Sequence, residues 1–426
     1  MKLLIGGSPC THWSIAQTKN RETEASGIGW ELFLNYRIAR DKYKPDYFLY
    51  ENNKSMSPAI RAQITAELGV EPVLINSALL SAQNRQRLYW VDRRNPDCTY
   101  SQVPVEQPED RGILLRDILE AGAVTWKEKA YTLRASAGTK QGVSNILRHI
   151  ETNGKFGYMG VAVPVRIGEI ENAATGTGYD TSKQYKVYSP DAKATALCGN
   201  GGGLGAKTGL YATPVDTDAD GILHLGSLYG QHSRWGVFAK DGKCPTITAS
   251  MGMGGGHVPM VPTRTNEEGH CQKNPTTAKQ IYEVRDGKIS IGNTRYPIKL
   301  RDGFYIIRKL TVRECMRLQT VPEEYVFPVS DSQAYKMLGN GWTVDVIAHI
   351  MRHFEGLTTE PVEVLSMYDG MSCGHIALDK LGVQPWLIRY YATEIDKYAI
   401  QTTQHNFPET IQLGDAFQVR GEGWTL

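Results

Sequence analysis

The chain has 426 residues, 41% hydrophobic and 22% charged, with a formal net charge of +2. This is the balance of a folded globular protein of about two domains, and it excludes a disordered chain or one whose overall charge attracts polyanions, so any nucleic-acid surface must be a local concentration of base. The cysteines at positions 10, 98, 198, 244, 271, 315 and 373 are odd in number, scattered and without a CxxC pair, which argues against a disulfide framework or a bound metal and for a reducing cytoplasm. The opening MKLLIGG has three consecutive apolar residues before glycine, too few for a signal peptide, and no stretch is long enough to span a membrane.

From Lys2 to about Arg94, strand-like and helix-like stretches alternate. Leu3–Ile5 suits a short buried strand, ended by Gly6-Gly7-Ser8-Pro9, which places Cys10 on a tight loop after it. Helical spacing runs from Trp30 to Ile38, a strand from Asp46 to Tyr50, and a helix from Pro58 to Leu68, with Pro at its start and Gly69 after its end. Val73–Ile75 and Leu88–Val91 again resemble strands. Alternation of this kind implies a mostly parallel, doubly wound sheet.

Between about Arg94 and Leu300 glycine becomes frequent, and Asp241-Gly242, Asp286-Gly287 and Asp302-Gly303 mark turns. The segment echoes itself: Lys129–Gly138 resembles Lys243–Gly252, and Val187–Lys193 resembles Val237–Lys243. Its glycine clusters, Gly199–Gly205 and Gly252–Gly256, suit either flexible hairpin tips or loops that approach a ligand closely. Either reading gives a separate, mainly β domain, in which Arg134, Lys140, Arg148, Lys207 and Arg234 are candidates for contact with nucleic acid.

From Arg308 helices return. Thr311-Val-Arg-Glu314 is a capping-box pattern opening a helix through Leu318; Asp331 is expected to cap a helix ending at Gly339, and Val344, Ile347, Ala348, Met351 and Phe354 share a helix face. After a connection from Glu355 to Pro361, Val362–Met367 is strand-like, Asp369–Gly374 a tight loop and His375–Leu381 helical. Leu387–Ala392 is a second strand ending at Glu394, with a helix from Ile395, and Ile411–Leu413 a third ending at Asp415. The two ends of the chain therefore read as two halves of one sheet.

Three polar groups fall at strand ends: Cys10 after the first, Glu51-Asn52-Asn53 after the second, and Gln83-Asn-Arg85-Gln-Arg87 before the last. A thiol, a carboxylic acid and two guanidinium groups at one sheet edge are a nucleophile, an acid and anion holders. In the terminal segment a glycine loop after a strand, with a carboxylate about 20 residues on, is a nucleotide-binding pattern in which Glu394 can accept from ribose hydroxyls. With Gly370 and Gly374 alone, and no full GxGxxG, it does not favour a dinucleotide.

On these motifs the chain resembles the DNA cytosine-C5 methyltransferases, nearest the animal de novo type and related phage and bacterial enzymes, including those of restriction-modification systems. Gly6-Gly7-Ser8-Pro9-Cys10 is similar to the nucleophile motif, Glu51-Asn52 to the ENV motif and Gln83-x-Arg85-x-Arg87 to the QxRxR motif. Arg308–Glu314 with Arg317-Leu318-Gln319 resembles the RxLTxRE…RLQ motif that supports the recognition domain, and Gly339-Asn340 with Val344 the GNxV motif. Thr11 and Asn53 depart from the family pattern, where Gln or Asn, and Val, are usual.

The resemblance implies catalytic roles for Cys10, Glu51, Arg85 and Arg87, and substrate contacts for Ser8, Pro9, Asn52, Gln83, Arg313 and Gln319. It also implies an S-adenosylmethionine site from Tyr368, Asp369, Gly370, Met371, Ser372, Gly374, Glu394, Ile395, Asp415, Ala416, Asn340 and Trp342. The partner implied is double-stranded DNA, whose cytosine is flipped out of the stack. The fold implied is a Rossmann-like α/β methyltransferase sheet with a second, mainly β target-recognition domain. Its parts are 1–94 as the catalytic half, 95–305 as the recognition domain, 306–354 as the helical return, 355–361 as a linker and 362–426 as the cofactor half.

The family's usual order begins with the cofactor motifs, which here come last, so the chain resembles a circular permutant. Two chains each supplying half a sheet, or a rearranged and inactive gene, are the alternatives. For the activity they are an RNA cytosine-C5 methyltransferase, a non-catalytic DNA-binding paralogue, or transfer of a modified group from an altered cofactor. The target sequence and oligomeric state are not legible in the sequence.

Overall fold

The computed structural model describes residues 1–9, 12–13, 21–120, 123–133, 143–154, 160–164, 166–169, 186–188, 210–211, 224–227, 236–238 and 281–426. It divides into two compact units, residues 1–118 with 128–141 and 310–426, and residues 119–127 with 142–309.

The first unit is built on an eight-stranded sheet. Its strands in chain order are β1 (Lys2–Gly6), β2 (Tyr47–Asn53), β3 (Val73–Asn76), β4 (Gln86–Arg94), β5 (Tyr100–Gln102), β6 (Val362–Met367), β7 (Ile388–Thr393) and β8 (Ile411–Gly414). The spatial order is β8-β7-β6-β1-β2-β4-β3, with β5 paired to β4. From β8 to β2 the strands are parallel; β4 runs antiparallel to β2, β3 and β5. Leu3, Leu4 and Ile5 are fully buried, as are Val364 and Leu365 opposite them; strands covered on both faces need such continuous apolar runs.

The helices have local causes. Helix α1 (Gly27–Tyr43) ends where Lys44 turns left-handed at φ 51°. Helix α2 (Pro58–Leu68) has the Ser57 side chain accepting from the Ile60 N–H, Pro58 in its first turn and Gly69 at φ 85° after it, so both ends are coded within a few residues. Helix α3 (Val312–Leu318) opens on the expected capping box, with both the Thr311 and Glu314 bonds formed. Helix α4 (Asp331–Asn340) starts one residue earlier than its expected cap implies: Ser330 is the N-cap and Asp331 the first helical residue, where its charge faces the helix N-terminus. Then follow α5 (Val344–Met351), α6 (Cys373–Lys380) and α7 (Lys397–Asn406). Helix α6 begins two residues before the expected His375, and α7 two after Ile395, because Asp396 caps it by accepting from the Tyr398 N–H.

One face of the sheet is sealed by an aromatic core that includes Trp30, Phe33, Tyr36, Phe48, Tyr50 and Trp90. On α6, Gly374 is required by packing: a Cβ there would lie 2.1 Å from Ile5 Cδ1 and 2.8 Å from Tyr390 Oη. Close helix-to-strand approach of this kind is one role of glycine in nucleotide-binding βα turns.

The described residues of the second unit are mainly strand. A five-stranded antiparallel sheet runs in the order Thr294–Pro297, Lys288–Ile291, Ile281–Arg285, Gly303–Arg308 and Val161–Pro164. Helix Val143–Glu151, which carries Arg148, supplies Ile146 and Ile150 to a core with Tyr282, Val284, Ile289, Tyr305 and Ile307. The glycine clusters and Arg134, Lys140, Lys207 and Arg234 lie outside the described residues. Among the described residues no helix is long and apolar enough to cross a membrane.

Candidate active site

The strand order reverses between β6 and β1, and in open α/β sheets ligands bind in the crevice at the carboxyl ends of the strands at such a point. The loops after β6 (Tyr368–Ser372) and after β1 (Gly7–Pro9) therefore flank the crevice, with the end of β2 and the antiparallel start of β4 at the same edge.

On the β1 side, Glu51, Asn52 and Asn53 lie within β2 rather than after it, and Arg87 within β4 opposite Asn53. Arg87 Nε is 2.9 Å from Glu51 Oε1, with both side chains largely shielded. The second carboxylate oxygen, Oε2, accepts from Trp342 Nε1 at 2.9 Å. Gly7 makes room for this arrangement, since a Cβ there would be 2.8 Å from the Glu51 carbonyl and 2.9 Å from Oε2. Asn52 is fully buried and donates to the Ser8 carbonyl at 3.2 Å and to Tyr50 Oη at 3.1 Å, while Ser8 Oγ and Tyr50 Oη are 2.7 Å apart. The turn leading to Cys10 is thus fastened from β2. Cys10 and Thr11 lie outside the described residues, and Pro9 is exposed.

Around the Glu51–Arg87 pair runs a buried polar frame. Arg85 donates to the carbonyls of Leu133 (3.2 Å), Gly339 (3.4 Å) and Gly341 (2.8 Å). Gln319 donates to Leu338 O and Gly341 O and accepts from Thr343 Oγ1 and Gln83 Nε2. Gln83 also donates to Leu318 O and accepts from the Leu133 N–H, and Ser77 Oγ bonds Thr343 Oγ1. The polar atoms of Gln83 and Gln319, expected at substrate, are spent on these internal bonds, and the Arg85 guanidinium bonds backbone; together they fix the turn that carries Trp342. Arg313 is exposed and 3.3 Å from Glu323.

On the β6 side the loop is sharply turned, with Tyr368, Gly370 and Ser372 all left-handed at φ 61°, 61° and 57°. Nothing lies within 4 Å of where a Gly370 Cβ would be, so the backbone there is open to a ligand. Asp369 accepts from Ser372 Oγ and, at 2.9 Å, from Tyr390 Oη. Burial pushes its carboxyl up to about 6, against the pull of those hydrogen bonds. Glu394 bridges two strand ends: Oε2 accepts from the Gly370 N–H at 2.8 Å, and Oε1 from the N–H groups of Ile395 and Asp396. Asp415 caps the short turn Ala416–Arg420 through the Phe417 N–H, with Ala416 buried. At this edge Ile395 is 74% exposed and Phe417 36%. Two exposed apolar groups beside an oriented carboxylate and an open glycine suit a nucleoside, whose ring is apolar on its faces and whose ribose donates hydrogen bonds. Met371 and Ser372 are buried, and Asn340 is exposed at the end of α4.

The described cysteines offer no competing nucleophile. Cys315 and Cys373 are buried, and burial pushes the Cys373 thiol up to about 12; Cys98 lies beyond the far end of β4, at the opposite edge of the sheet. Sequence reasoning did not single out Tyr50, Ser77, Thr343, Tyr390 or Phe417. Their roles depend on partners distant in the chain, and only the position of Phe417 two residues after Asp415 offered a local signal.

This constellation sits at one edge of a mostly parallel α/β sheet, an oriented carboxylate and an open glycine on one side and an acid–guanidinium pair on the other. A sequence model described as C-5 cytosine-specific DNA methylase matches residues 1–355, and the chain belongs to that family. Among its relatives are two phage proteins. Orphan methyltransferase M.Rho11sI of Bacillus phage rho11s is 26% identical over 441 residues, covering 82% of this chain and 84% of the relative. Orphan methyltransferase M.SPRI of Bacillus phage SPR is 25% identical over 387 residues, covering 82% and 81%. Type II methyltransferase M.SsoII of Shigella sonnei is 55% identical over a stretch of 40 residues, 9% of this chain and 11% of the relative.

Proposed function

We propose that the chain transfers a methyl group from S-adenosylmethionine to C5 of a cytosine flipped out of double-stranded DNA, through a transient bond from Cys10 to C6. The observation that carries this reading is the pair Glu51–Arg87 beside the Asn52-fastened turn that leads into Cys10. C5 of cytosine is a weak nucleophile. Addition of the Cys10 thiolate to C6, with Glu51 protonating or hydrogen-bonding N3, turns the C5–C6 bond into an enamine in which C5 carries the electron density. Arg87 holds Glu51 in place and offers its remaining N–H groups to the base's O2 side. After transfer a base removes the C5 proton, the electron pair reforms the C5–C6 bond, and the Cys10 thiolate leaves. Extruding the base costs a few kcal/mol, offset by contacts in the pocket and along the backbone.

Tyr368–Ser372, Gly374, Glu394, Ile395, Asp415 and Ala416 are read as the holders of the cofactor, which when bound supplies the electrophilic methyl group. Glu394, held by three backbone N–H groups, is read as an acceptor for the ribose, and the exposed Ile395 and Phe417 as cover for the adenine. Gln83, Arg85 and Gln319 are read as framing residues.

The strand order β8-β7-β6-β1-β2 supports a circularly permuted methyltransferase sheet, because the cofactor strands come last in the chain yet stand where a doubly wound fold has its first three. The phage relatives favour a protein of phage or bacterial type, and by the family resemblance it is read as cytoplasmic, with residues 95–305 as the target-recognition part. Bisulfite sequencing of duplex DNA incubated with the protein and S-adenosylmethionine is expected to show methylated cytosines in one sequence context. Cys10→Ala is expected to abolish them while DNA binding persists; methylation by that variant, or methylation of transfer RNA alone, would overturn the reading.

A further inference from the structure

We infer that Trp342 is a positioning residue for Glu51, acting through its indole N–H rather than only as a wall of the cofactor site; this rests on the reading of Glu51 given above. An indole N–H can only donate, and Trp342 Nε1 points it at Glu51 Oε2 from 2.9 Å while Arg87 Nε, also 2.9 Å away, holds Oε1. One donor per oxygen fixes the carboxylate plane, which a single guanidinium contact leaves free to swing about the Cγ–Cδ bond. The plane matters, because an acid must meet the edge of a flat base with one oxygen in line.

The indole N–H lies against Gly7, and the backbone just before Trp342 is closely packed. A Cβ on Gly7 would lie 3.5 Å from Nε1, and one on Gly341 would lie 3.2 Å from Cys373 Sγ and 3.5 Å from Met371 Sδ. The backbone at Gly341 is pinned by Arg85 Nη2 at 2.8 Å and Gln319 Nε2 at 3.2 Å, and Thr343, on the other side of Trp342, bonds Ser77 and Gln319. That is a dense set of buried bonds for a short turn, and the side chain they aim is Trp342. The frame of Gln83, Arg85 and Gln319 thereby acquires a purpose: it delivers a donor to Glu51.

Two measurements test this. In the free protein the indole ¹H–¹⁵N resonance of Trp342, assigned by through-bond correlation without any variant, is expected to move in Glu51→Gln, which replaces the anionic acceptor by a neutral amide; a resonance that stays in place overturns the inference. In single-turnover assays Trp342→Phe, which keeps an aromatic ring but lacks the N–H, is expected to slow methyl transfer about tenfold or more, the worth of one hydrogen bond to a charged group. KM for DNA and Kd for S-adenosylhomocysteine should change less than about twofold. An unchanged rate, or a loss confined to KM or Kd, would leave Trp342 as packing alone. If the wild-type chain methylates no DNA, the proposed function falls, and the indole measurement still decides the contact.

Discussion

Asn52 on β2 donates through Nδ2 to the carbonyl of Ser8, 3.2 Å away, so the turn that leads to Cys10 is held by the neighbouring strand. The same side chain accepts the Asn53 N–H at 2.8 Å, and it has no contact with water. Asn52→Ala would leave the Ser8 carbonyl and the Asn53 N–H without these partners, at a cost of about 1–3 kcal/mol. Denaturant unfolding should read that loss, and methyl transfer should fall by at least about tenfold as the turn loosens.

Arg85 and Arg87 are two residues apart and differ in kind. Arg85 is 3% exposed and its guanidinium bonds three backbone carbonyls, so Arg85→Ala should lower stability by about 2–3 kcal/mol, seen as a fall in Tm. Arg87 meets Glu51. Arg87→Ala leaves the shielded Glu51 carboxylate with the Trp342 N–H as its other donor, so it should slow transfer about a hundredfold, far more than Arg85→Ala does, since it frees the acid. The reverse pattern would exchange their roles.

At Gly374 the space for a side chain is absent, with Ile5 Cδ1 2.1 Å and Tyr390 Oη 2.8 Å from the position of a Cβ. Gly374→Ala should destabilise by about 1–3 kcal/mol through overpacking between α6 and β1. Tyr390 also bonds Asp369, so the same variant should weaken binding of S-adenosylhomocysteine, measurable by calorimetry.

His375 is stacked between Tyr390 and Phe407, with ring centroids 4.7 and 3.9 Å away, and its Nδ1 has no hydrogen-bond partner. Burial lowers its pKa to about 4. The unfolded chain takes up this proton near pH 6.5 and the folded one only near 4, so the contribution is intact above pH 6.5 and is lost as pH falls through that window. At pH 5 the loss is on the order of 1–2 kcal/mol, because Glu409 Oε1, 3.7 Å from Nε2, favours the protonated ring in part. Asp369 and Asp379, both raised to about 6 by burial, act in the opposite sense, binding protons in the folded state first. The clean measurement is therefore a difference: Tm should drop more between pH 7 and pH 5 in the wild type than in His375→Phe, which keeps the stack without the titrating ring.

Helix α2 and strand β6 occupy the residues read from the sequence, Pro58–Leu68 and Val362–Met367, because a capping serine, a proline, a glycine or an unbroken apolar run acts within a few positions. Glu51–Asn53 were placed just after the end of the second strand, yet they continue it by pairing with Tyr89, Leu88 and Arg87, partners more than thirty residues away. Arg85, Gln83 and Gln319 carry the side chains of a surface and are buried instead, since the carbonyls that satisfy them belong to segments up to about 250 residues distant. Local chemistry was legible; the destination of a long polar side chain was not.

Strand β1 pairs on one flank with β2 and on the other with β6, Lys2 lying opposite Glu363. At translation rates of about 5–20 residues per second, the first strand waits on the order of tens of seconds for its second neighbour. Meanwhile Leu3, Leu4 and Ile5 offer an apolar, half-paired edge of the kind that recruits the wrong strand. Long-range pairing of this sort also folds slowly. Such a sheet closes late, after the ribosome has delivered β6, and until then its central strand stays half-paired.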